Sequence, residues 1–93
     1  MDTAEARRIL AERLAGYRAL SYAQLVAKID HVECEQIGEP WKKFWQMEFQ
    51  VVWDSQPNGD VRVLGSIDDG GWRAFAPLTD DFIKAPNGEF VGE

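Results

Sequence analysis

The sequence has little of what small secreted proteins and membrane proteins depend on. It contains a single cysteine, Cys34, and a single histidine, His31, in 93 residues. One cysteine cannot form an intramolecular disulfide, on which small secreted domains usually rely, so we expect a reducing compartment. Residues 1–8 contain no apolar signal core, and no segment approaches the roughly 20 apolar residues of a membrane span. The sequence therefore predicts a soluble, cytoplasmic protein with no membrane partner.

The scarcity of histidine and cysteine also argues against a metal centre and against a cysteine–histidine nucleophile. On a strand, His31 and Cys34 would point to opposite faces because they are three residues apart. We expect Cys34 to be a small buried residue and His31 to be exposed. Residues 54–60 begin like a calcium loop, but Gln56 and Gly65 stand where that loop needs acidic ligands. No metal and no cofactor is predicted.

No nucleotide-binding, nucleic-acid-binding or catalytic signature rises above background. The glycine-rich segment 69–72 lies between two predicted strands, whereas a phosphate-binding loop precedes a helix. The basic and aromatic residues of segment 41–45 alternate between the two faces of a strand, so they do not form one stacking platform. Paired acids such as Asp80 and Asp81 lie in turn-like sequence, where carboxylates act as turn and cap formers. These features favour a protein that is not an enzyme, without excluding one, and we expect no nucleic-acid partner.

The net charge of −6 is unevenly distributed along the chain. Residues 1–28 carry five basic and three acidic side chains, whereas residues 29–93 carry five basic and thirteen acidic ones. Two interpretations stay open: a basic helix neutralises an acidic sheet, or the protein presents an acidic face to a basic partner. An apolar content of 45% and a length of 93 residues favour one globular domain spanning residues 1–93.

The N-terminal segment has the periodicity of an amphipathic helix. Its apolar residues recur at helical spacing: Ala6, Ile9, Leu10, Leu14 and Tyr17. Asp2 is a candidate N-cap of this helix. Arg8 and Glu12 are one turn apart and can form an ion pair. Gly16 indicates a bend in the helix or a close approach to the sheet. Segment 21–24 has the pattern of a capping box, which favours a short second helix over residues 22–28. A single helix that continues through this segment is the alternative.

From residue 30 the period changes to two, which is typical of strands. The first strand has Val32, Cys34 and Gln36 on the inner face and charged residues on the outer face. The second has an unbroken inner row: Trp45, Met47, Phe49, Val51 and Trp53. A turn over residues 54–60 leads to a third strand, in which Gly65 makes room for a large neighbour. We place the fourth strand at residues 72–76 and a single helical turn at residues 79–82.

These elements predict an α+β fold, with the N-terminal helix packed on a four-stranded antiparallel meander. The helix should cover the face that carries Trp45 to Trp53. The opposite face carries apolar residues rimmed by polar ones, which is typical of an interface. Its predicted partner surface consists of Phe44, Val52, Leu64 and Phe75. In the alternative, the C-terminal segment around residues 82–91 folds over this face and covers it.

Two functional hypotheses follow from this architecture. The first is a non-enzymatic protein–protein interaction module, whose partner is another protein or a second copy of the chain. The second is a small-ligand-binding domain or enzyme with a site between the sheet and the helix, lined by Trp53, Asp68 and Trp72. A pocket with converging polar groups would favour the ligand, and a flat apolar face would favour the partner.

Overall fold

A computed structural model describes residues 3–38, 44–70 and 77–93 of the chain. Two helices precede four strands: α1 (Thr3–Arg18), α2 (Tyr22–Val26), β1 (Val32–Gly38), β2 (Phe44–Trp53), β3 (Val61–Asp68) and β4 (Leu78–Lys84). The strands form one antiparallel sheet in the order β1-β2-β3-β4. The predicted helix on a four-stranded antiparallel meander is confirmed. No helix of the described residues is long and apolar enough to cross a membrane.

The N-terminal segment forms two helices rather than one. The Ser21 hydroxyl accepts a hydrogen bond from the Gln24 amide at 3.1 Å, and the Gln24 side chain accepts one from the Ser21 amide at 2.8 Å. This capping box satisfies two amides at the start of α2. Gly16 marks neither a bend nor an approach to the sheet: α1 runs through it, and a Cβ there would meet nothing within 4 Å. The predicted N-cap, Asp2, lies outside the described residues.

The predicted core is confirmed. The buried residues of α1 are Ala6, Ile9, Leu10 and Leu14, and they pack on a β2 row of Trp45, Met47, Phe49 and Val51, with Trp53 half-buried at its end. Tyr17 extends this contact, because its ring stacks on Phe49 at 5.1 Å between centroids. Gly65 makes room for both layers: a Cβ there would lie 3.0 Å from a methyl of Leu10 and from the Phe49 ring.

The predicted helical turn at residues 79–82 is wrong, because these residues belong to β4. Asp80 lies opposite Gly65 and Phe82 lies opposite Val63. The Thr-Asp-Asp sequence offers local capping bonds, but pairing with β3 buries Phe82 to 4% exposure. That burial outweighs a local cap, which typically contributes about 1 kcal/mol. The predicted strand at residues 72–76 lies outside the described residues.

The two faces of β1 are the reverse of those predicted. Residues directly opposite each other in an antiparallel pair share a face, and Glu33 lies opposite Phe49 and Glu35 opposite Met47. The two glutamates are therefore on the helix side. Cys34 points to the other side and is exposed, so the expectation of a buried cysteine is wrong.

Basic side chains of the N-terminal half explain this orientation of β1. Arg13 of α1 donates to the Glu35 carboxylate at 2.7 Å. The Glu33 carboxylate accepts hydrogen bonds from the Tyr17 hydroxyl at 2.8 Å and from Lys28 at 3.1 Å. The Tyr17 bond and then the Lys28 bond hold the pKa of Glu33 below its usual range. Paired in this way, the glutamates can lie on the face that the helix occupies.

The C-terminal segment packs on the helix side of the sheet. The Arg18 guanidinium lies over the rings of Phe82 and Phe90, at 5.0 and 4.7 Å from their centroids, and binds both carboxylate oxygens of Glu93. The buried Lys84 ammonium donates to the carbonyl of Leu20 at 2.7 Å, where the chain leaves α1. The alternative in which this segment covers the opposite face of the sheet is therefore wrong.

Candidate functional site: the open face of the sheet

The face of the sheet turned away from α1 is here called the open face. Its side chains follow from the strand register in five rows across the sheet: Val52, Arg62 and Ile83; Val32, Gln50, Leu64 and Asp81; Cys34, Glu48, Ser66 and Thr79; Gln36, Gln46 and Asp68; and Phe44, which lies opposite Gly38. About half of these side chains are exposed and the rest are half-buried. No described segment packs across them.

Two residues of the predicted partner surface lie close together. Val52 is opposite Arg62 and Leu64 is opposite Gln50, so the two apolar side chains are diagonal neighbours on adjacent strands. Phe44 lies at the other end of β2, about 26 Å from Val52 at ~3.3 Å per residue. Phe75 lies outside the described residues.

Val32 and Ile83 enlarge the patch at Val52 and Leu64. Val32 pairs with Gln50 and is 50% exposed, and Ile83 pairs with Arg62. We call Val32, Val52, Leu64 and Ile83 the apolar end of the open face. The sequence does not predict Val32 and Ile83 as part of this surface, because their position depends on how β1 and β4 align with their neighbours. The period-two pattern of β2 and β3 was sufficient to predict the positions of Val52 and Leu64.

The three residues of the predicted ligand site do not come together. Trp53 lies on the helix side, opposite Val61 at the start of β3, whereas Asp68 lies on the open face at the other end of β3. Trp72 lies outside the described residues. Two cavities flank the helices instead, of about 510 Å³ beside α2 and about 360 Å³ beside α1. Both are open to solvent; the Lys28–Glu33 ion pair lines the first, and the Arg8–Glu12 ion pair lines the second.

A polar depression crosses the middle of the open face. It consists of two adjoining cavities of about 260 and 190 Å³ that share Glu48 and Ser66. We call it the trough; the open-face residues that line it are Cys34, Gln36, Gln46, Glu48, Gln50, Leu64, Ser66, Asp68 and Thr79. The sequence does not predict this feature, since its periodicity places Cys34 in the core and Asp68 in a different site.

Two carboxylates give the trough its charge. One Asp68 oxygen accepts hydrogen bonds from the Gln46 side chain at 2.7 Å and from the Gly70 amide at 2.8 Å, which fixes its orientation. Within the described ranges, nothing donates a hydrogen bond to Glu48 or forms an ion pair with it. Neither lysine, arginine nor histidine is among the described residues that line the trough. The described side chains that line the trough therefore carry negative charge and no positive charge.

Arg62 is the one basic side chain among the described residues of the open face, and it is already paired. It donates to Asp54 at 2.9 Å and to Asp81 at 2.6 Å. The Asp54 hydrogen bond is the main reason why the pKa of the Arg62 guanidinium is raised, and Asp81 adds to it. Asp54 and Asp81 therefore neutralise the charge of Arg62, and Arg62 forms no ion pair with Glu48.

The open face shows no catalytic or metal-binding arrangement in the part of the chain that the structure describes. No three histidine, cysteine, aspartate or glutamate side chains there could hold a metal ion together. The exposed Cys34 thiol lies opposite Glu48, and no imidazole or amine of the described lining residues stands beside it as a base. The arrangement offers apolar contact and negative charge to a ligand.

Comparison with protein-family models, with curated proteins and with solved structures finds no match to this chain.

Proposed function

We propose that the protein is a non-enzymatic module that binds another protein through the open face of its sheet. One observation carries this proposal: the apolar end places four aliphatic side chains as diagonal neighbours on the open face, two of them exposed and two half-buried, among polar and charged side chains. Protein interfaces also combine apolar side chains with a polar rim. Aliphatic side chains grouped at a protein surface favour a partner.

The shape of the open face supports a protein over a small molecule as the ligand. The two cavities of the trough, of about 260 and 190 Å³, are shallow and open to solvent, whereas small-molecule sites typically enclose most of the ligand's surface. Charge supports a different protein over a second copy. Two open faces packed against each other would bring Glu48 and Asp68 of each copy near the same carboxylates of the other.

Site-specific photo-crosslinking in the native host tests the proposal. A benzophenone amino acid replaces Gln50, which is exposed at the apolar end, or Ala15, which is exposed on α1, as the matched control. We expect one dominant protein adduct from position 50 and none from position 15. The adduct should disappear in a Val52→Lys, Leu64→Lys variant whose thermal melt is unchanged.

The same experiment distinguishes the alternatives. An adduct with twice the mass of the chain would identify a second copy as the partner. Equal adducts from both positions, or none from either, would refute a binding role for the open face.

A further inference from the structure

We infer that the partner segment is basic: it places an arginine or lysine side chain in the trough against Glu48 and Asp68, and an apolar side chain on the apolar end. This inference rests on the proposed function and names the chemistry of the partner.

The position of the two carboxylates supports a shared cation. Glu48 is opposite Ser66, and Asp68 is two residues further along β3, so Glu48 and Asp68 are diagonal neighbours. Diagonal pairs in an antiparallel sheet have Cα atoms about 7–8 Å apart, which lets one guanidinium or ammonium contact both carboxylates. Gln46 and the Gly70 amide hold Asp68 in place, so little side-chain entropy is lost when a cation binds. A basic group would also provide a partner for the Glu48 carboxylate.

The spacing of the rows supports an extended segment. Leu64 of the apolar end lies two residues along β3 from Ser66 of the trough, and its cross-strand neighbour Gln50 lies two residues along β2 from Glu48. Two residues of extended chain span about 6.6 Å, so residues i and i+2 of a bound strand would reach both places. The partner should therefore carry its basic and apolar residues two positions apart, on one face of a strand.

A peptide titration followed by 15N–1H NMR on the full chain tests this inference. The probe is a capped heptapeptide of serine and glycine with one arginine and one leucine two residues apart. A second peptide has glutamate in place of the arginine, and a third has arginine and leucine adjacent. We expect saturable shifts at Glu48, Leu64, Ser66 and Asp68 with the first peptide, weaker binding by the third, and no saturable shift with the second.

Matched variants assign the binding to the trough. The double variant Glu48→Gln, Asp68→Asn removes both charges but keeps an oxygen that can accept from Gln46, and it should bind the first peptide at least about tenfold more weakly. Glu89→Gln removes one charge from the exposed tail and should bind like the wild type. Raising the salt from 50 to 300 mM should weaken binding to the wild type more than binding to the double variant.

Several results would overturn the inference. These are shifts spread over every acidic region, equal binding of the glutamate peptide, or a double variant that binds like the wild type. A partner crosslinked at position 50, combined with no binding of the basic peptide, would leave the proposed function standing and refute this inference alone. If neither a crosslinked partner nor binding of the basic peptide is found, the proposed function is refuted as well.

Discussion

The same substitution, glycine to alanine, should have opposite effects at two positions of this protein. At Gly65 the new methyl would lie 3.0 Å from Leu10 and 3.0 Å from Phe49, closer than ordinary van der Waals contact. Both neighbours are buried, so relief requires α1 or the Phe49 ring to shift inside a packed core. Overpacking of this kind costs about 1–3 kcal/mol, and the lower entropy of the unfolded chain offsets roughly 0.5–1 kcal/mol of it. We expect Gly65→Ala to lower the free energy of unfolding by about 0.5–2 kcal/mol.

At Gly16 the environment is open. No atom lies within 4 Å of the added Cβ, and the residue is exposed in the last turns of α1. Alanine should therefore stabilise the protein by about 0.5–1 kcal/mol, the usual helix preference over glycine. For a chain of this length, 1 kcal/mol corresponds to a shift of roughly 4–8 °C in the melting temperature.

Urea unfolding measures both variants, with tryptophan fluorescence and far-UV circular dichroism as independent probes. If the two probes give coincident transitions, and the dependence of the unfolding free energy on urea concentration is unchanged, only the stability has changed. A Gly65→Ala variant as stable as the wild type would mean that α1 does not cross β3 at this point. A Gly16→Ala variant that is destabilised would mean that this face of α1 is covered.

Four further predictions concern the core, the C-terminal segment, the Tyr17–Glu33 pair and ligands. Phe49→Ala should cost about 3–5 kcal/mol in a denaturant melt, the usual loss for a buried phenylalanine, and a loss below about 1 kcal/mol would mean that the β2 register is wrong. Lys84→Met should lower the free energy of unfolding by about 1–3 kcal/mol in the same assay, because the carbonyl of Leu20 loses a charged donor while methionine keeps the apolar stem. An unchanged free energy of unfolding would contradict a stabilising hydrogen bond between Lys84 and Leu20. Tyr17→Phe should raise the pKa of Glu33 as measured by 13C NMR, since the Tyr17 hydrogen bond is the main cause of the low value. Because the low folded-state pKa of Glu33 gives stability that is lost as the pH falls through it, Tyr17→Phe should also make the loss of stability below about pH 4 shallower. A thermal-shift panel of divalent ions and nucleotides at micromolar concentration should leave the melting temperature unchanged, whereas a ligand at 100 times its Kd would add about 2.7 kcal/mol.

The sequence predicted those elements in which apolar and polar residues alternate with strong contrast. α1 has one apolar stripe and β2 has five large apolar residues at every second position, so their buried faces could be assigned without knowledge of the neighbouring elements. β1 has no such contrast. One face of β1 carries valine, cysteine and glutamine, and the other carries glutamate and isoleucine. Contacts of Glu33 and Glu35 with α1 and Lys28 therefore determine which face lies toward the helix.

The errors in β4 and in the candidate site have the same physical origin. The Thr-Asp-Asp sequence has the local chemistry of a helix cap, and pairing with β3 overrode it. Val52 and Leu64 were assigned to the open face because alternation within β2 and β3 was sufficient for them. Cys34, Val32 and Ile83 depend on how the outer strands pair with the inner ones, and that alignment is a tertiary property that periodicity within one strand does not contain.

The two interpretations of the charge asymmetry apply to opposite faces of the sheet. On the helix side, Arg13, Arg18 and Lys28 bind Glu35, Glu93 and Glu33, so the basic N-terminal half neutralises acidic groups there. These side chains extend from the helix layer and do not reach through the sheet. On the open face, Arg62 is divided between Asp54 and Asp81, and the described residues provide no cation for Glu48. A partner that neutralised charge on the helix side would have to break existing ion pairs, whereas a cation in the trough would break none that the described residues form. A basic segment should therefore bind the open face in preference to the helix side.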